Sequence, residues 1–518
     1  MSLQTLHVDE PRLTFGSNQK TGDPRDGLHL FGPHEPLAPF SIRAGVVGTK
    51  ELLALYKSFV QRLNQPFIST KRVYGKVFSD EVARPSFPGF KAVFNIEWPV
   101  EPELFLEVDP QQIEYLLRQP NKKKRTADLV ELYLGKITTA LKQEDPSVNL
   151  WFILVPHRLY VLCKPGSYGR NLSEGTKQFL LMTRQGQYDF KFPGEEYYFE
   201  QASKLLDSSS DFHHLLKARL IQEKVEAPVQ LEVDSTLQFR DKYKGWELDE
   251  NMKAHLAWTQ STTVYYKLGK LPWKLGDIRD GVCYLGLVFK KLSQDSSKGY
   301  VCSAAQMFLK DGDGAVFRGN IGLWQGRDER EFHLDDRASE HLLGMALDDY
   351  FGKWQKYPDE LFVHGRARFS EDEWRGFSNA VSARQACTKL VGVVIKDSAR
   401  LKLFRNVEGE TSDYGVLRGL ALKTSEKEAY LFTRGFIPRL NTSSSLEVPN
   451  PLHIQITRGE ADLETVLKDV LALTKLNYNA CIYGDGLPVT LRFSDNIGNI
   501  LTATEKWKVD QRQFKYYI

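Results

Sequence analysis

Apolar residues at Leu52, Leu53, Tyr56, Phe59, Val60 and Leu63 form one stripe of a 3.6-residue period, and Thr49 stands where the helix cap belongs. An apolar run at 41–47 precedes this helix. A second helical stretch at 127–143 precedes Leu150–Val155, LWFILV, which is apolar without alternation. Strands of that kind are buried on both faces, as in a parallel sheet. A further helix at 211–225 leads through Ala227 and Pro228 to a strand at 229–233. Alternating strands and helices predict a Rossmann-like α/β domain over residues 41–270.

Beyond residue 270 the pattern changes. Runs at 282–289, 300–309 and 315–324 predict three successive strands, the last two joined by Lys310-Asp311-Gly312-Asp313-Gly314, which is hairpin-turn chemistry. Helix 338–357, strand 360–364, helix 371–380 and a long helix at 460–476 follow. Three hairpin-linked strands, then helix, strand and helix, is the element order of the ribonuclease H fold, assigned to 271–518. Residues 1–40, rich in Gly, Pro and Asp, read as an extended lead-in.

Composition narrows the setting. At 518 residues the chain exceeds one ordinary core and accommodates two domains. No run approaches ~18 continuous apolar residues, so no membrane span is predicted, and the opening MSLQTLHVDEPR lacks the basic and apolar regions of a secretory signal. Cys163, Cys283, Cys302, Cys387 and Cys481 have no Cys-x-x-Cys spacing, which argues against a zinc site and suits a reducing, cytoplasmic location. The net charge is only +3, so a hold on nucleic acid would need basic residues gathered locally. The clearest basic run, Lys122-Lys123-Lys124-Arg125, reads as a solvated loop ahead of a helix.

The order of the two domains resembles the MID–PIWI pair of Argonaute proteins, and local sequences carry the resemblance further. They are EPRLTFG and DPRDGLHLFGP in the lead-in, FHHLLKARL beginning at Phe212, the junction AWTQSTTVYYKLGKLPWKLGDIRDGVCYLGLVFKK at 257–291, and LALTKLNYNACIYGDGLPVTLRFSDNIGNIL at 471–501. The resemblance covers essentially the whole chain. It points to the short prokaryotic Argonautes that lack the N-terminal and PAZ domains and are encoded beside a TIR–APAZ protein.

A 5′-phosphate carries nearly two negative charges and needs convergent donors. His213 and Lys217 lie at i and i+4 on one predicted helix, Gln230 begins the next strand, and Lys267 ends the helix leading into the second domain. Taken alone, His-x-x-x-Lys describes a solvated helix face. In this order the four match the pattern that holds the guide 5′-phosphate in Argonautes. Where the family often has another Lys this chain has Thr263, a loss that Lys253 or a metal ion would offset. In the family a terminal carboxylate reaches the pocket through a metal. The apolar ending FKYYI is similar, and implies Mg2+ held by Ile518 in a structural role.

Two-metal cleavage of a phosphodiester needs clustered carboxylates. Active Argonautes read roughly Gly-x-Asp-Val on the first PIWI strand, and this chain reads Gly286-Leu287-Val288-Phe289, with Val288 at the ligand position. The segment expected to supply a second Asp, 361–368, contains none. It carries Arg366 and Arg368, read either as contacts to a target strand or as exposed loop residues. Asp495 matches the residue from the last helix but also suits a helix start; Glu340 follows the third strand and lacks partners.

The resemblance therefore implies a catalytically inactive PIWI domain. The chain would bind a 5′-phosphorylated guide RNA, pair it with single-stranded target DNA, and activate a TIR–APAZ partner that hydrolyses NAD(P) and assembles into larger oligomers. The alternatives are an active guide-dependent nuclease and a sensor for a sirtuin-like or nuclease effector. A nucleotide-binding enzyme is a third rival, but AGVVGTKE at 44–51 lacks the Gly-x-Gly-x-x-Gly cradle. A structural scaffold would leave the phosphate pattern unexplained.

Overall fold

The computed structural model describes residues 4–518 except 75–77, 144–146, 165–210, 243, 292–299, 310–313, 324–332, 399–400, 405, 408–409, 412–414, 444–446 and 505–510. The turn containing Asp311 and Asp313 lies outside the described residues. Two sheets organise the rest. One has four parallel strands in the order Leu104–Glu107, Ala44–Gly48, Leu150–Val155 and Val229–Val233. Leu150–Val155 is buried at every position, as its unbroken apolar run demands of an inner strand. The helix Lys50–Leu63 covers this sheet with Tyr56, Phe59, Val60 and Leu63, and the Thr49 hydroxyl accepts from the Leu52 amide at 3.3 Å. This is the Rossmann-like domain the periodicity predicts. Its edge strand Leu104–Glu107 is half-buried and too short for any pattern to show.

Lys122 to Arg125 are not a loop. They form the first turn of the helix Lys122–Gln143, where Asn121 accepts from the Lys124 amide at 3.0 Å. Lys122 donates to the Lys164 carbonyl, Lys124 pairs with Asp128, and Arg125 donates to the carbonyls of Gln119 and Leu162. The run holds a helix start in place through its own neighbours.

The second sheet has ten strands among the described residues. Its centre runs Lys389–Asp397, Glu360–Gly365, Val282–Lys291, Tyr300–Leu309 and Gly314–Leu323, with Glu360–Gly365 parallel to both neighbours and the hairpins antiparallel. This is the ribonuclease H arrangement. Strand alternation divides its faces. Cys283, Leu285 and Leu287 pack in one core with Leu342, Leu343 and Phe377 from the helices Asp336–Trp354 and Glu371–Ala383. Tyr284 and Val288 point into a second core, shared with Ile497 and Ile500 of the helix Ser494–Thr502 and with the Rossmann-like domain.

The lead-in is not simply extended. Gln4–His7 adds an edge strand to the large sheet by pairing with Leu420–Ser425, and Leu13–Thr14 pairs with Lys274–Leu275. Pro24–Phe31 is a helix whose Asp23 cap accepts from the Arg25 amide, with Pro24 in the first turn. Buried charges fasten this segment. Lys475 donates to the Gly22 carbonyl at 2.7 Å and pairs with Glu10 at 2.6 Å, and Arg418 pairs with Glu10 at 2.9 Å. Residues 4–31 are thus built into the second domain. Among the described residues no helix is long and apolar enough to cross a membrane.

Candidate nucleic-acid interface

The helix Phe212–Gln222 begins at Asp211, whose carboxylate caps the His214 amide at 2.9 Å. One turn further, Lys217 is buried and donates to the backbone oxygens of Ile518 at 2.5 Å and Tyr517 at 3.3 Å. Burial, and then the charge of Lys267, push its pKa well below the ordinary lysine value. Lys267 ends the helix Glu250–Lys267 and is equally buried. It donates to the Val229 carbonyl at 2.9 Å and the Gln230 amide oxygen at 2.6 Å, and burial lowers its pKa to about 7. Gln230 in turn donates to Glu232 at 2.8 Å and to the Gln260 amide oxygen at 3.2 Å. His213 lines a cavity of about 230 Å³ with Tyr160, Lys164 and Leu231. Burial, then Lys217, His214 and Lys267, hold its imidazole well below the usual range, so it is neutral.

Lys267, Gln230 and Glu232 are therefore linked through a short chain of contacts, with Lys217 near enough to feel the charge of Lys267 and His213 on the adjoining cavity. Lys267 acts on the buried Glu232, whose own pKa burial raises, and Lys217 meets the oxygens of Tyr517 and Ile518. Burying an ammonium without a matched anion is costly, so such amines shed protons until an anion arrives. The arrangement is suited to an anion.

The second region centres on Val288, which is buried. Gly286, two residues earlier, lies between His364 on one neighbouring strand and Gln306 on the other. A Cβ on Gly286 would overlap the Thr490 carbonyl, so that backbone lies directly on the strand. His364 shares a 2.9 Å hydrogen bond with the Thr490 hydroxyl, and burial lowers its pKa to about 3. Gln306 donates to Ser494 at 3.1 Å and to the Thr490 carbonyl at 3.3 Å. Where a metal pair would need carboxylates there is a neutral, hydrogen-bonded cluster. Asp495 is exposed and meets Arg366 at 3.9 Å, so the carboxylate on the last helix faces a cation. Arg368 is exposed and donates to Gln455 at 3.2 Å. Glu340 sits on the helix packed against the opposite face of the sheet, lining a surface hollow with Arg337, Asp348 and Arg384, and is turned away from Val288.

No protein-family model and no curated protein matches the chain. Solved structures do. The chain is similar to Clostridium butyricum Argonaute bound to a guide DNA and a 19-mer target DNA, at 14% identity and a TM-score of 0.63, covering 100% of this chain and 55% of that one. The crystal structure of A. aeolicus Argonaute aligns at 14% identity over 99% and 55%, TM-score 0.53. Aa-Ago with externally bound siRNA aligns at 13% over 99% and 56%, TM-score 0.56. The fold is that of an Argonaute. The parallel domain corresponds to MID and the ribonuclease H-like domain to PIWI, and the chain spans a little over half the length of those structures.

One support expected at the MID pocket is differently placed. Lys253 is held by Glu247 at 2.6 Å and Glu250 at 3.1 Å, and 14 residues of helix, roughly 21 Å, separate it from Lys267. It cannot stand in for a lysine at position 263, where the Thr263 hydroxyl instead bonds the carbonyls of Thr259 and Tyr478. The Ile518 oxygen, expected to reach a magnesium ion, accepts from the Lys217 ammonium at 2.5 Å. Among the described residues the one group able to hold an ion is Asp211, His213 and His214, which is nitrogen-rich.

Sequence reasoning missed Glu232, Lys164 and Lys242. Glu232 had a signal: it lies two residues after Gln230, hence on the same strand face. Lys164 and Lys242 approach the Tyr160 ring at 4.7 and 5.9 Å from segments far apart in the chain, and nothing local marks them.

Proposed function

We propose that this chain grips the 5′-phosphorylated end of a short guide RNA with His213, Lys217, Gln230 and Lys267 and pairs the guide with complementary single-stranded DNA without cutting it. The observation that carries this reading is the burial of two lysines, Lys217 and Lys267, in the MID domain, each held below the ordinary lysine pKa by desolvation, a penalty that a bound anion would relieve. The neutral cluster at Gly286, Val288 and His364 supports the second half, because it offers no carboxylate to a metal. Arg366 and Arg368, exposed beside Asp495, suit a phosphate backbone and would help to hold the target strand.

In this reading the chain is a sensor, and the effector is on a partner: an APAZ-linked TIR protein that hydrolyses NAD(P), assembling into a larger oligomer when target pairs. The motif resemblance described above supports that assignment. Pairing must favour one of two arrangements of the complex, since only differential binding shifts an equilibrium.

The test is direct binding of short RNAs carrying a 5′-phosphate or a 5′-hydroxyl to wild type and Lys217→Ala. Wild type should prefer the phosphate by about 30-fold or more, the worth of charge-assisted hydrogen bonds in a buried site, and the variant should lose that preference. Equal binding of both ends by wild type would remove the pocket assignment. Magnesium-dependent cleavage of a matched target would remove the non-cleaving half.

A further inference from the structure

The guide-end pocket is not made by the MID domain alone. The helix Ser494–Thr502 opens with three consecutive polar residues that each bind a different part of the molecule. Ser494 accepts from Gln306 in the centre of the PIWI sheet, and Asp495 faces Arg366 at the surface. Asn496 reaches across to the MID pocket. Its amide nitrogen donates to the Tyr517 carbonyl at 3.1 Å and its amide oxygen lies 3.0 Å from His214 Nε2.

The chemistry fixes which way round this amide sits. A carbonyl only accepts, so the Asn496 nitrogen must face Tyr517 and its oxygen must face the imidazole. His214 then carries its proton on Nε2 and donates. His214 and Lys217 are at i and i+3 on their helix and share a face. The Tyr517 carbonyl that Asn496 holds is also one of the two oxygens that receive Lys217. One side chain of the PIWI domain thus pins both the helix that carries Lys217 and an acceptor that orients it. A second bridge, from Gln222 to the Thr504 hydroxyl at 3.2 Å, joins the same helix to the same region.

From this geometry we infer that Asn496 is a positioning residue for guide 5′-phosphate binding: it orients Lys217 by clamping His214 and the Tyr517 carbonyl together. The inference rests on the guide-end reading above. Because Asn496 follows Asp495 directly, it also makes the target-facing surface and the guide end part of one helix start.

The measurement is the ratio of affinities for 5′-phosphate and 5′-hydroxyl RNA, taken on the full chain with its partner if required, for wild type, Asn496→Leu, Asn496→Asp, Lys217→Ala and the Lys217→Ala/Asn496→Leu pair. The hydroxyl RNA, which lacks the group Lys217 holds, is each variant's own reference. Asn496→Leu should lower the ratio at least tenfold. Asn496→Asp, which keeps size and the His214 acceptor but cannot donate to Tyr517, should lower it as well and guards against a folding failure in the first variant. The paired variant should be no worse than Lys217→Ala, because Asn496 acts through that lysine. A wild-type ratio near one overturns the guide-end reading and this inference with it. A large wild-type ratio that Asn496→Asp keeps, or losses that multiply in the paired variant, overturns this inference alone.

Discussion

Two buried polar sites lie on either side of the helix Ser494–Thr502, and they differ in what they leave undone. Around Gly286 and Val288 the polar groups are neutral and answer one another: Gln306 with Ser494 and Thr490, His364 with Thr490. Around Lys217 and Lys267 the groups are ionisable, and burial lowers the pKa of both lysines. The first set has become part of the core. In the second, desolvation disfavours the charged amines, so a bound anion would stabilise it. Ionisable groups held under a desolvation penalty, rather than the presence of polar residues, distinguish the two sites.

The largest test of that contrast is Val288→Asp. A carboxylate there enters a buried, largely apolar surround, so it should cost about 3–5 kcal/mol, the scale of an uncompensated buried charge, read as a drop in the urea midpoint. It should not produce magnesium-dependent cleavage; a variant that cuts would break the comparison. Next is Lys267→Leu. Removing a poorly paired buried amine should stabilise the empty protein by about 1 kcal/mol or more at pH 6 while reducing 5′-phosphate preference. Destabilisation together with unchanged preference would show that Lys267 is a core residue.

A pH series sharpens the same point. The folded, empty protein holds Lys267 at about 7, against 10.5 for the free side chain. Across that window the unfolded chain binds the extra proton, so this group makes the empty protein gain stability as pH rises and lose it as pH falls toward 7. A bound phosphate favours the charged amine, so guide capture above pH 7 takes up a proton. Preference for the 5′-phosphate should fall as pH is raised from about 7 to about 9, by up to ~tenfold per unit for one proton. His364, held at about 3 by burial, should contribute no such dependence. The smallest effect is expected from Arg366→Ala. If this arginine meets target phosphate, binding should weaken evenly across target sequences and the salt slope should fall by about 1. A slope unchanged in the variant would return Arg366 to the solvent.

Much of the architecture was legible wherever burial imposes a long, regular pattern. The stripe of Lys50–Leu63, the all-apolar Leu150–Val155 and the strand trio from Val282 are examples. The edges were not. Gln4–His7 is mostly exposed and four residues long, so no alternation distinguishes it from a loop, and only its partner Leu420–Ser425 makes it a strand. Lys122 to Arg125 looked solvated because the carbonyls they serve lie up to 42 residues away. The pocket divides similarly. His213, Lys217, Gln230 and Lys267 could be named from their order, whereas Asn496 could not. Its partner His214 is 282 positions distant, and an Asn in the first turn of a helix is ordinary.

That separation has a consequence for how the protein comes into being. Lys217, Gln230 and Lys267 leave the ribosome early, but the oxygen that receives Lys217 follows 301 residues later. A nascent chain bearing the finished MID segment lacks the Tyr517 and Ile518 acceptors and the Asn496 clamp that orient Lys217, although Val229 and Gln230 already hold Lys267. The proposed grip on a guide therefore draws on both domains, and neither domain by itself supplies every contact that orients Lys217.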